Sequence, residues 1–369
     1  MKKIKVLHVL TVLDRGGLET MLMNYFRNLD RTIFEFQFLV HRESGAYEKE
    51  ILQKNGTIHR VPPLNFSVRN FLKYQKELDV FFQNNKFDVI HVHNNSFGYY
   101  PLKYAKKHRI PVRIIHSHIS SLTDDRKKIL LGKYLNKKIP KVATQLFACG
   151  REAGKWMYGN NTFEVIPNAI DSQLFSYNIK VRNQAQMALN CQDKINIINV
   201  ARFNKQKNHL FLLEIFAELL KLSANYHLYL VGDGDLKPDI MGKITELGIG
   251  EQVTLLGVRG DVAELLQAMD VFLLPSLFEG LPVSLIEAQA SGIRCVISDG
   301  VPKEAILVED NVKVIPLKKS AADWAAEIKE FSAYDRKDVS EVIKARGYDI
   351  VENARSLERK YLELLQKNS

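Results

Sequence analysis

The chain of 369 residues has only three cysteines, Cys149, Cys191 and Cys295, odd in number and widely spaced. They suit neither a disulfide framework nor a zinc site, so a reducing cytoplasm is the expected compartment. Long apolar runs are missing too, and no stretch approaches the roughly 20 residues a membrane-spanning helix needs. The basic and apolar opening "MKKIKVLHVL" imitates a secretion signal. No small-residue cleavage site follows it, and Asp14-Arg15-Gly16-Gly17 reads as a loop after a first strand. Gly-x-Gly-x-x-Gly is absent there, since "DRGGLET" offers only an adjacent pair. That argues against a nicotinamide-dependent dehydrogenase. No Asp-x-Asp metal site is expected in the chain. Low-complexity segments and short repeats are also lacking.

Acidic residues are scarce in the first half alone. Residues 1–180 carry 29 Lys+Arg against 15 Asp+Glu, whereas residues 181–369 carry 23 against 27. No nucleic-acid recognition motif accompanies the basic half, so binding of nucleic acid is not expected. A length of 369 residues exceeds one ordinary core, and the charge asymmetry supports two units.

What is present is alternation. Apolar strand patterns at 4–13, 34–40, 57–61, 89–92 and 112–116 are separated by helical patterns, notably 71–84 and 98–108. After a weak polar stretch beyond residue 175, strands resume at 195–200, 226–231, 252–256, 271–274, 294–297 and 312–315. Strands alternating with helices imply parallel sheets with right-handed crossovers. The expected architecture is α/β, with two doubly wound, Rossmann-like domains facing across a cleft. The first spans 1–168, joined by a C-terminal helix at 346–369, and the second spans 169–345, with a linker near 167–171. Such sheets bind ligands beyond the carboxyl ends of their strands.

Residues with chemical potential follow strands. Gly16-Gly17 precedes a helix, where bare backbone amides favour an anion, although a plain structural turn explains the pair equally well. Arg202 and Lys207, five apart in "VARFNKQKNHL", suit a diphosphate; a solvated lysine-rich loop is the bland alternative. In "SLFEGLPVSLIEAQASG", Pro282 marks a helix start, so amides around Leu281, Pro282 and Val283 are expected to face an anion. Glu279 lies before that helix and Glu287 within its second turn. Carboxylates so near a phosphate suit hydroxyls, of a sugar for Glu279 and of a ribose for Glu287. An ordinary surface charge or helix-dipole partner remains the alternative for Glu287.

The ordered set resembles the GT-B glycosyltransferases of family 4, over nearly the whole chain. It comprises Gly-Gly-x-Glu at 16–19, "DVIHVHNN" at 88–95, "IIHSH" at 114–118, "VIPNAID" at 165–171, "VARFNKQKN" at 200–208, "LVGDGD" at 230–235 and the Glu279/Glu287 pair. Among them it looks most like bacterial exopolysaccharide and capsule enzymes. The resemblance implies a retaining, metal-independent hexosyltransferase that uses a nucleotide-diphosphate sugar, UDP favoured, with no cofactor. It implies a lipid-linked saccharide acceptor and a cytoplasmic enzyme, peripheral on the membrane. Glu279 would contact the transferred sugar, Glu287 the ribose, Arg202 and Lys207 the diphosphate. Amides of residues 281–283 and of Gly16-Gly17 would meet the diphosphate or sugar, and backbone near Val258 and Arg259 the base. His118 would approach the donor sugar; strand alternation places His116 on the same face, and His118 is preferred as nearer the strand's end. His8, His91 and His93 are read as packed or hydrogen-bonded.

Three departures, at Ala201-Arg202, at residues 300–304 and at 293–295, touch loops near the base and blur nucleotide preference. A catalytically silent scaffold of a polysaccharide complex is the rival reading. Finally, the cationic and apolar segment 124–141 is expected either to lie on anionic membrane or to pack as an ordinary helix with a solvated charged face.

Overall fold

The computed structural model describes residues 2–64, 67–118 and 126–368, apart from the side chains of Arg126 and Lys127. The chain forms two compact units, Met1–Ala169 with Ile350–Ser369, and Ile170–Asp349.

The first unit is built on seven strands: β1 (Ile4–Val9), β2 (Phe34–Val40), β3 (Thr57–Arg60), β4 (Val89–Val92), β5 (Val112–Ser117), β6 (Gln145–Ala148) and β7 (Glu164–Val165). All pairings are parallel, in the order β3-β2-β1-β4-β5-β6-β7. The order reverses between β1 and β4, the place where crossovers leave on opposite faces and a crevice opens. Alternation along β1 sends Val6 to one face and Leu7 to the other, and each face has its own core. On Val6's side, Phe34, Phe36 and Phe38 meet the C-terminal helix through Ile350, Ala354, Leu357, Tyr361 and Leu364. These recur at four and three residues, a single helical stripe, which is why the last segment returns to the first unit.

The second unit holds β8 (Ile195–Val200), β9 (Tyr226–Val231), β10 (Val253–Gly257), β11 (Val271–Leu274), β12 (Arg294–Ser298) and β13 (Val312–Ile315). They are parallel in the order β10-β9-β8-β11-β12-β13, reversing between β8 and β11. Its core gathers Ile197, Leu228 and Leu273 from the sheet with Leu212, Phe216 and Trp324 from helices.

One element departs from expectation. The polar stretch after residue 175 forms a helix, Ile179–Leu189, capped by Asn178. It docks through polar side chains: Arg182 donates to the carbonyls of Gln267 and Met269 and pairs with Asp270, and Gln186 donates to the carbonyl of Ala268. A helix held this way needs little apolar periodicity, so its pattern is weak.

Candidate active site

In the second unit, the loops leaving β8 and β11 carry sequence candidates, and hydrogen bonds tie the two loops together. Leu277 N–H donates to the carbonyl of Gln206 at 2.8 Å, and the Asn208 side chain donates to the carbonyl of Pro275 at 3.1 Å. Asn204 caps the short turn Lys205–Lys207 by accepting from Lys207 N–H. Gly232, after β9, supports the first loop: a Cβ there would lie 1.9 Å from the carbonyl oxygen of Ala201. Only glycine permits that approach.

Within this frame Lys207 Nζ stands 2.5 Å from Glu279 Oε1. The other carboxylate oxygen accepts from Gln206 Nε2 at 3.1 Å, and Gln206 also donates to the carbonyl of Phe278. Glu279 is 5% exposed, and its own N–H donates to the carbonyl of Gly300 at 3.0 Å. The carboxylate is therefore enclosed and held in one orientation. Arg202 is exposed just beyond β8.

The helix following β11 runs Val283–Ala290, with Pro282 at its N-cap rather than at the first helical position. Proline's φ of −70° comes with an extended ψ of 109°, so the helical turn begins one residue later than the sequence suggested. Pro282 has no hydroxyl or amide to cap the turn, and no side-chain cap is made. Amides in the first helical turn lack intrahelical acceptors as a rule, which suits an anion. Glu287, in the second turn of this helix, is buried, which overturns the surface-charge alternative. Burial alone pushes its carboxyl up to about 7. A carboxylate kept dry in this way gains strongly from hydroxyl donors.

Val258 is exposed just after β10. The Arg259 guanidinium is engaged by Asp261 through Nε at 2.8 Å and Nη2 at 2.5 Å. Both side chains of this pair remain partly exposed.

In the first unit, Gly16 is the N-cap of the helix Gly17–Asn28, again without a side-chain cap. His118 follows β5, partly exposed, while His116 on β5 is 1% exposed. His118 Nε2 lies 2.9 Å from His93 Nδ1, and burial pushes the His118 imidazole down to about 3. It is a neutral ring at ordinary pH. His8, His91 and His93 are buried and hydrogen-bonded, as expected of them.

Two groups escaped sequence reading. Gln206 fixes Glu279, and its only signal was adjacency to Lys207. Asp233-Gly234-Asp235 has Asp-x-Asp spacing, which corrects the expectation that the chain has none. The Asp233 carboxylate accepts from Gly234 N–H at 2.7 Å and from Lys237 Nζ at 3.2 Å, so local partners already engage it.

Segment 124–141 is a helix over Arg126–Lys138; Asp124 and Asp125 lie outside the described residues. Its apolar residues divide. Leu135 and Ile139 are buried, whereas Leu130 and Tyr134 are 68% and 54% exposed beside exposed Lys133 and Lys137. No helix among the described residues is long and apolar enough to cross a membrane.

Comparison with known proteins assigns a family match to each of the two units. The family described as "Glycosyl transferases group 1" matches residues 182–348, and "Glycosyltransferase Family 4" matches residues 15–174. EpsF of Bacillus subtilis, named as a glycosyltransferase, is 35% identical over 96% of this chain and 95% of its own. An Escherichia coli UDP-Gal:α-D-GlcNAc-diphosphoundecaprenol α-1,3-galactosyltransferase is 28% identical over 80% of each chain. The crystal structure of HepE from Anabaena, in complex with UDP and glucose, superposes with a TM-score of 0.75 at 16% identity, covering 99% of this chain and 98% of that one. Two parallel α/β units with such counterparts define the GT-B fold. The chain belongs to glycosyltransferase family 4.

Proposed function

We propose that this glycosyltransferase moves a hexose or N-acetylhexosamine from a UDP-sugar to a lipid-linked oligosaccharide during exopolysaccharide or capsule assembly. The observation that carries the reading is the buried Glu279, oriented by Lys207 and Gln206 between two loops at the switch point of the second unit's sheet. The E. coli relative's UDP-Gal donor and diphosphoundecaprenol acceptor support both ends of the reaction.

Lys207 and Arg202 supply positive charge for the diphosphate, with amides of residues 281–283. Glu287 takes the ribose hydroxyls, and Glu279 a hydroxyl of the transferred sugar. Backbone at Val258 and Arg259 meets the base, while Gly16, Gly17 and His118 add contacts to the diphosphate and sugar. The bond from the anomeric carbon to the diphosphate oxygen breaks, and its electron pair stays on the diphosphate. Fixed cations and amides stabilise that growing charge without reorganising. The acceptor oxygen bonds the anomeric carbon on the face the phosphate leaves, and its proton passes to the departing phosphate oxygen. Configuration is thus retained, and no metal or cofactor takes part. In this reading the enzyme works at the inner membrane face, where its acceptor lies, and exposed Leu130 and Tyr134 among exposed lysines support that position.

The test is a screen of nucleotide sugars with lipid-linked acceptors, reading the anomeric configuration of the product by NMR. Transfer with retention is expected. Inversion, or transfer only from a donor lacking a diphosphate, contradicts the reading.

A further inference from the structure

Five histidines of the first unit form one cluster, and the hydrogen bonds among them use only part of their ring nitrogens. Strand register brings them together. His8 on β1 pairs across to His91 on β4, and period-two alternation puts His93 above His91 and His118 above His116. His93 Nε2 lies 3.1 Å from His8 Nδ1, and His116 Nδ1 lies 3.2 Å from His91 Nε2. His91 Nδ1 is in turn 2.7 Å from the Tyr361 hydroxyl. His116 Nε2 is enclosed and has no hydrogen-bond partner.

We propose that His93, His116 and His118 form a binding site for one divalent cation of the zinc, cobalt or nickel kind. One ring nitrogen from each lies within 4.8 Å of the other two. A tetrahedral ion with bonds of about 2.0–2.1 Å holds its ligand nitrogens roughly 3.3 Å apart, so small ring rotations complete the set. For His93 and His116 the tautomers needed are those the outer bonds supply, whereas His93 Nδ1 accepts from His118 Nε2 at 2.9 Å, a bond the ion replaces. His93 donates its Nε2 proton to His8 and keeps Nδ1 for the ion. His116 donates its Nδ1 proton to His91 and keeps Nε2, and His91 passes its own Nδ1 proton to Tyr361. Outer hydrogen bonds of this kind orient metal-binding imidazoles and fix their tautomers. An all-imidazole donor set selects zinc-like ions over magnesium or calcium, which take oxygen ligands. His118 is the partly exposed member and marks the entry side. Occupancy takes His118 from the sugar contact proposed above, so the ion inhibits transfer; this consequence rests on that reading, while binding does not.

The experiment uses tag-free, chelator-stripped protein without any donor. Cobalt is followed by its visible d–d absorption and zinc by calorimetry. One ion per chain with micromolar or tighter affinity is expected, weakened at least tenfold in His93→Gln and in His116→Gln, and unchanged in His227→Gln. Circular dichroism checks each variant; if the buried substitutions unfold the chain, His118→Asn decides by the same tenfold criterion. Absence of saturable binding at one equivalent, or equal binding by folded variants, overturns the proposal. Zinc binding that leaves transfer untouched confirms the cation site and removes His118 from the sugar.

Discussion

Lys207 Nζ and Glu279 Oε1 are 2.5 Å apart, joined across the loops that leave the adjacent strands β8 and β11. The sequence reading gave the two residues different ligand partners, the diphosphate and the sugar. Paired with each other, they enclose a carboxylate whose charge is matched in the free chain, so under the proposed donor role the cation is shared or released when the diphosphate binds.

The two halves of the pair are expected to fail differently. Lys207→Ala leaves Glu279 enclosed without its cation, and breaking such a pair costs about 3 kcal/mol. The variant should melt earlier and bind donor more weakly. Glu279→Gln keeps the size and a hydrogen bond to Gln206, so its melting temperature should hold while turnover falls. Removing one preorganised electrostatic contact costs on the order of 3 kcal/mol, about a hundredfold in rate. Melting curves and steady-state kinetics together check this, and near-normal rates in both variants would mean that the site lies elsewhere.

Glu287 is expected to make donor binding depend on pH. Its carboxyl is raised from 4.5 to about 7 in the folded state, so the folded chain holds a proton that the unfolded chain has lost between those values. The stabilising contribution is full below 4.5 and disappears as pH rises through about 7, an effect of about 3 kcal/mol. Ribose hydroxyls are best accepted by the ionised form, so donor affinity should rise with pH and level off above 7. Calorimetric titration from acid to neutral pH should show this slope in the wild type and lose it in Glu287→Gln. A flat wild-type profile would contradict the ribose role.

Catalysis should survive excess chelator. In the proposed mechanism Lys207, Arg202 and the helix amides supply the charge that a divalent ion supplies elsewhere. A transfer assay with and without chelator reads this directly, and loss of activity restored by magnesium or manganese would contradict it.

Membrane binding should depend on the helix Arg126–Lys138. Each well-placed lysine adds about 1 kcal/mol toward an anionic surface, screened over about 8 Å at physiological salt. The protein should therefore sediment with anionic vesicles at low salt and leave them at high salt. Replacing Lys128, Lys133 and Lys137 with glutamine should abolish sedimentation and spare donor hydrolysis. Equal binding by that variant would refute the role of this helix.

Much of the fold was readable because each strand is a short apolar run bounded by turn residues, and parallel order follows from the intervening helices. The helix Ile179–Leu189 was not readable, since Arg182 and Gln186 hold it by polar bonds that leave no periodic signature. At the site, spacing pointed to Glu279 and Glu287 but not to their environments. The closure of Lys207 onto Glu279 depends on two loops far apart in sequence, and Glu287's raised carboxyl depends on burial that helical periodicity cannot report. The histidine cluster needed strand register, which brings His8, His91 and His116 together from three separate strands.

The most direct measurement is calorimetric titration of UDP into the wild type, Lys207→Ala and Glu279→Gln. If the loops after β8 and β11 hold the diphosphate, the wild type binds one UDP per chain. Lys207→Ala then binds at least tenfold more weakly, and Glu279→Gln, whose partner is the missing sugar, stays within about threefold of the wild type, under 1 kcal/mol. No UDP binding by the wild type, or equal affinity in Lys207→Ala, would contradict this assignment of the donor site.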